Sequence, residues 1–174
     1  MGLTQINARD YQTELKALLG RNFTGHEVIV EWSIRKRATD RMTGDPLLYA
    51  PRVDVAVGPF NESSGRDHQI TRNSVPTNLQ RLFRNLEVNP NPRCLIAIEV
   101  TYSGSSKHIL GDIMNASAMG LYGIVVGKPE IVPKIKRNIM YLQRLSELDK
   151  PHFLPKNLLV LSTDELRDLL TPSS

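Results

Sequence analysis

The segment Arg93 to Tyr102, RCLIAIEVTY, constrains this chain more than any other. Its run of Leu, Ile, Ala and Val is too continuous for a strand with one wet face. It predicts a central strand buried on both sides, which demands neighbouring strands and covering helices. Yet a carboxylate, Glu99, stands in the middle of it. Burying an unpaired carboxylate is costly, on the order of several kcal/mol even after the surroundings adjust. Asp54 has the same peculiarity, since it interrupts the valine-rich RVDVAV. Two acids at the centres of two apolar strands call for a shared explanation.

The rest of the chain supplies the partners such a strand needs. Gln5 to Leu19 repeats Tyr11, Leu15 and Leu18 at helical spacing. Glu27 to Ile34 is β-branched and aromatic, with Val28, Val30, Trp32 and Ile34 expected on one face. The polar RKRATDRMTGDP reads as a long hairpin connection to a strand over Leu48 to Val57, whose Val53, Val55 and Val57 share a side. Residues from about 59 to 92 are rich in Asn, Ser, Arg and Pro, with one helical patch, Leu79 to Leu86. They read as an insertion, being too poor in apolar residues for a core of their own. After the central strand come a helix over Lys107 to Met119, the buried strand LYGIVVG, a basic amphipathic helix over Ile131 to Leu148, the short strand NLLVLST, and a last helix with Thr163 as its N-cap. The order predicts an α/β fold with a mixed central sheet flanked by helices. A length of 174 residues suits one domain, with an accessory C-terminal part from about 128 to 174.

Several chemistries drop out. There is no CxxC and no HExxH, and His26, His68, His108 and His152 are scattered, so no zinc site is indicated. No GxSxG elbow is present, and the single cysteine, Cys94, reads as core filler. GSSK at 104–107 lacks the spacing of a phosphate-binding loop, and a capped helix start accounts for Ser105 or Ser106. No apolar run is long enough to span a bilayer, and MGLTQINARDYQ lacks a signal-peptide pattern, so a reducing, cytoplasmic setting is the expectation.

Period-two alternation sets Asp54 opposite Val53 and Val55, and sets Leu95, Ala97, Glu99 and Thr101 together. If the two strands pair in register, both carboxylates point the same way, as a hard divalent cation requires. Glu14, on the apolar face of the first helix between Tyr11 and Leu18, is a candidate third acid; the other reading is a boundary residue whose carboxylate reaches water. For Asp54 and Glu99 the competing explanation is a structural salt bridge, for example to Arg52 or Arg35.

The order helix with Glu14, strand, strand with Asp54, strand with Glu99, helix, strand resembles the PD-(D/E)XK nuclease superfamily, over roughly Gln5 to Gly127. The segment before the first acid is Ala50-Pro51-Arg52-Val53-Asp54, with its proline displaced, and the second motif reads Glu99-Val100-Thr101, with threonine where the family has lysine. The resemblance implies a restriction-endonuclease-like αβββαβ core and hydrolysis of DNA phosphodiester bonds. Asp54 and Glu99 would hold Mg²⁺ or Mn²⁺, with the main-chain carbonyl of Val100 and Glu14 as further ligands. Lys107, at the start of the following helix, is nominated for the missing cation. Arg35, Lys36, Arg66, Arg72, Arg81 and Arg84 are the candidates for contacts to the DNA backbone, against the plainer reading of solvated faces; Arg37, Arg41, Lys134, Lys136 and Arg137 add to the same basic clusters. A homodimer would let two such sites cut two strands. The alternative is a nuclease-fold module that has lost cleavage and binds DNA or a protein partner.

Overall fold

The computed structural model describes residues 7–34, 51–61, 70–149 and 154–171. Helix α1 spans Ala8–Asn22 and is capped by Asn7, whose side chain accepts the Asp10 N–H at 2.9 Å. Strands β1 (Val28–Ser33) and β2 (Arg52–Phe60) follow, then a 3-10 turn at Arg72–Ser74 and helix α2 (Thr77–Phe83). The second half alternates strand and helix: β3 (Cys94–Thr101), α3 (Ser106–Met119), β4 (Gly120–Gly127), α4 (Val132–Glu147), β5 (Leu158–Ser162) and α5 (Thr163–Leu170).

The five strands form one open sheet in the order β1-β2-β3-β4-β5. The first three are antiparallel and the last three parallel, so β3 carries both kinds of ladder. Every residue of β3 and β4 is buried, as expected of strands covered on both faces. On one face Val55, Val57, Ile96 and Ile98 pack beneath Tyr11 and Leu15 of α1, Leu79 and Phe83 of α2, and Leu166 of α5. On the other, Ile109, Ile113 and Ala116 of α3 and Ile135 and Leu142 of α4 cover Val125. At Gly123 of β4 there is no room for a side chain beneath helix α3. A Cβ on Gly123 would sit 2.8 Å from the Ala116 main chain and 2.7 Å from Leu158 Cδ1.

The α/β class, the element order and the mixed, helix-flanked sheet agree with the sequence reading. Three details differ. Strand β2 runs on through Pro59 and Phe60, so the expected insertion opens later than residue 59, and its described part packs onto the shared core through Ile70, Val75, Leu79 and Phe83. The β1 alternation breaks: Val28 belongs to the α1 side, whereas Trp32 joins Val53, Ala56, Cys94 and Ala97 and stacks on Phe60 with ring centroids 4.9 Å apart. Glu31, between Val30 and Trp32, has φ +56°, and a left-handed residue inside a strand interrupts the side-to-side alternation. Finally, Ser162 rather than Thr163 caps α5, through a capping box with Glu165. The expected hairpin connection over 35–46 and the start of the expected strand over 48–50 lie outside the described residues. Among those described, no helix is long and apolar enough to cross a membrane.

Candidate functional site

Strands β2 and β3 pair with Val55 opposite Ile98, Ala56 opposite Ala97 and Val57 opposite Ile96. Extending this register by one step sets Asp54 opposite Glu99. There the Asp54 carboxylate takes a β3 main-chain donor directly, the Val100 N–H lying 2.7 Å from Oδ2. The anticipated partner Arg52 is engaged by Glu31 at 2.9 Å. Arg35 lies outside the described residues.

Glu99 is 5 % exposed, and its Oε1 is buried with no hydrogen-bond partner. Burial first, then the nearby charges of Asp54 and Asp112, push its carboxyl up to about 9, against the opposing pull of the Asn115 amide. Asp54 is also raised, mainly by burial, while the Val100 N–H works the other way. Two carboxyls this close cannot both ionise cheaply in a poorly solvated setting. With the Glu99 carboxyl pushed up to about 9, the pair favours keeping a proton at neutral pH.

A third acid comes from the helix above. Thr101, two residues beyond Glu99 on the same side of β3, is buried and donates its hydroxyl to Asp112 Oδ2 at 2.8 Å. Asp112 is half-buried, and burial raises its carboxyl too, partly offset by that hydrogen bond and by His108 one turn back. The α3-facing side of β2–β3 thus gathers Asp54, Glu99 and Asp112. Asp112 was not anticipated, although its spacing carries the signal: it lies three residues after Ile109 and four before Ala116, on the buried face of α3, as Glu14 does between Tyr11 and Leu18.

Among the described residues, no three or more His, Cys, Asp or Glu side chains form a ready-made cage for a metal ion. The donor set nevertheless fits a hard divalent cation. Its charged donors are carboxylate oxygens, one of them, on Glu99, buried and unsatisfied, and no cation among the described residues bears on Glu99, although His108 bears on Asp112.

Glu14 is not brought to this group. It lies under α5 on the opposite side of the sheet, where Arg167 donates from Nε to Oε1 at 2.7 Å and from Nη2 to Oε2 at 3.1 Å. That fork holds the Glu14 carboxyl below its ordinary value, and the guanidinium also lies over the Tyr11 ring. Lys107 is exposed in the first turn of α3, whose N-cap Ser105 accepts the His108 N–H. Val100 contributes its N–H to Asp54. Arg72, Arg81 and Arg84 belong to the turn and helix on the α1 side, away from the acids. Arg72 donates to the Leu86 carbonyl at 2.8 Å, and with Arg84, Phe83 and Tyr122 it lines a cavity of roughly 270 Å³. Arg35, Lys36 and Arg66 lie outside the described residues. Compared with protein-family models, curated proteins and solved structures, the chain matches none.

Proposed function

We propose that the chain is a metal-dependent endonuclease of the PD-(D/E)XK type that hydrolyses DNA phosphodiester bonds. The observation that carries this reading is the Asp54 carboxylate on the neighbouring strand accepting the N–H of Val100 beside Glu99 at 2.7 Å, with Glu99 Oε1 buried and unsatisfied. The succession of α1, β1, β2 and β3, then α3 and β4, supports a restriction-endonuclease-like core. Asp54 and Glu99 would hold Mg²⁺ or Mn²⁺, which supplies Lewis acidity and an acidified water at the scissile phosphate. To do so Glu99 must release its proton, while Asp54 stays tethered to the Val100 N–H. The free N–H groups at the start of α3 favour a phosphate, and Lys107 in that turn supplies the cation absent from position 101. Glu14 takes no part. Arg72, Arg81 and Arg84 would meet DNA only on the other face, so backbone contacts at the acids fall to Lys107 and, on sequence grounds, to Arg35 and Lys36. A homodimer would place two sites on two strands, and a reducing cytoplasm suits the buried thiol of Cys94.

The test has two steps. Calorimetric titration with Mn²⁺ should show a site that is lost in Asp54→Asn and Glu99→Gln. Supercoiled plasmid should then be nicked by the wild type with Mg²⁺ or Mn²⁺ and by neither variant. Ion binding without nicking would favour the second reading, a nuclease-fold module that binds DNA or a protein partner. The commitment of the Thr101 hydroxyl to Asp112, at the position of the family's lysine, supports that reading. No ion binding at all would refute the first.

A further inference from the structure

We infer that Asp112 is the third carboxylate of the cation site, acting from α3 on the ion's outer hydration shell, with Thr101 as its positioning residue. The inference rests on the cation reading of Asp54 and Glu99. Three observations carry it. Asp112 approaches the two strand acids closely enough for its charge to bear on Glu99. Its Oδ2 is fixed by the Thr101 hydroxyl at 2.8 Å, and Thr101 is only 2 % exposed, so the carboxylate is held rather than merely nearby. Glu99, only 5 % exposed, keeps an unsatisfied oxygen in the neighbourhood where the charges of Asp54 and Asp112 both bear on it.

A purely structural role accounts for these facts poorly. The buried Thr101 hydroxyl needs one acceptor, and a neutral Asn or Ser on α3 would serve without adding charge beside two acids. A carboxylate there raises the electrostatic cost of the empty site and lowers it only when a cation arrives. Direct ligation is the weaker geometry, since Oδ2 is committed to Thr101 and the three acids do not converge into a cage. Groups that orient the ligands and waters of an ion from outside the first sphere alter affinity by roughly 10- to 100-fold when removed.

The experiment compares Mn²⁺ affinity, by calorimetry and by the loss of free-ion electron paramagnetic resonance signal, in the wild type, Asp112→Asn and Thr101→Val. Far-UV circular dichroism and the melting temperature confirm that each is folded. Asp112→Asn should weaken Mn²⁺ binding at least 10-fold. Thr101→Val, which keeps every charge but frees Asp112, should weaken it at least threefold. Asp112→Asn within twofold of the wild type, with Glu99→Gln abolishing binding, overturns the inference and leaves the cation reading intact. A loss in Asp112→Asn with none in Thr101→Val reduces Asp112 to a background charge and overturns the positioning role. If the wild type binds no Mn²⁺, both readings fall together.

Discussion

Replacing Glu99 by Gln tests the electrostatics of the acid pair without any assumption about chemistry. The substitution keeps shape and volume but removes the ionisation. In the folded chain the Glu99 carboxyl is pushed from its ordinary 4.5 up to about 9, by burial and by Asp54 and Asp112. Between these values the folded state keeps a proton that the unfolded chain has released, so stability falls as pH rises through the window. The fall is about 1.4 kcal/mol per pH unit, and the accumulated loss reaches roughly 3 kcal/mol at pH 7. Glu99→Gln removes this slope. The difference in unfolding free energy between variant and wild type should grow in the variant's favour by about that amount from pH 5 to pH 7.5. Asp54 and Asp112, also raised by burial, add a slope of the same sign, and because they are coupled to Glu99 the comparison reads the acid group as one titrating unit. Urea denaturation in EDTA, followed by fluorescence of Trp32, the only tryptophan and a buried one, gives the measurement. Adding Mn²⁺ at pH 7.5 should restore stability to the wild type and do little for the variant. Parallel stability curves for the two proteins between pH 5 and 7.5 would refute the argument, since Glu99 would then titrate like a solvated acid.

Lys107→Ala should leave fold and Mn²⁺ affinity unchanged while lowering plasmid cleavage by about two orders of magnitude, roughly 3 kcal/mol of transition-state stabilisation; unchanged nicking clears Lys107 of the role. Glu14→Gln should destabilise the chain by about 1 kcal/mol through loss of the fork to Arg167, without altering Mn²⁺ affinity. Because Arg167 holds the Glu14 carboxyl below its ordinary value, that contribution should be present at neutral pH and fade as pH falls through the acid range. Asn157→Ala should cost on the order of 2–4 kcal/mol in urea denaturation, because the buried Asn157 amide donates to the carbonyls of Ser117, Gly120 and Leu121 and its oxygen accepts the Ser117 hydroxyl.

The sheet and its two strand acids were legible because alternation is a local property. RVDVAV and LIAIEVTY each declare which side their acid takes, and the antiparallel register, continued one step beyond Val55 and Ile98, sets the two acids side by side. Glu14 misled for the opposite reason. Its place on an apolar helix face is accounted for by Arg167, 153 residues away in sequence, and nothing near position 14 announces that partner. Asp112 carries the same local signal as Glu14, a carboxylate in phase with the apolar face of its helix at Ile109, Ile113 and Ala116; position alone does not tell that this face packs over the strand bearing Glu99 and Thr101. Trp32 was assigned the wrong side because one left-handed residue, Glu31, cancels a rule that otherwise holds along the strand.

The glycine beneath α3 acts as a spacer gauge for the acids, although it touches none of them. With hydrogen in place of a side chain at position 123, the Ala116 main chain rests almost on β4, and the helix height that brings Asp112 within reach of Thr101 is set by that contact. A methyl at 123 would act as a shim under one end of a lever, lifting the turn that carries Ala116 and tilting Asp112 away from the strands. If the acids hold a cation as proposed, its affinity would be adjustable from a position in the dry core, by thickness alone, with every acid left in place.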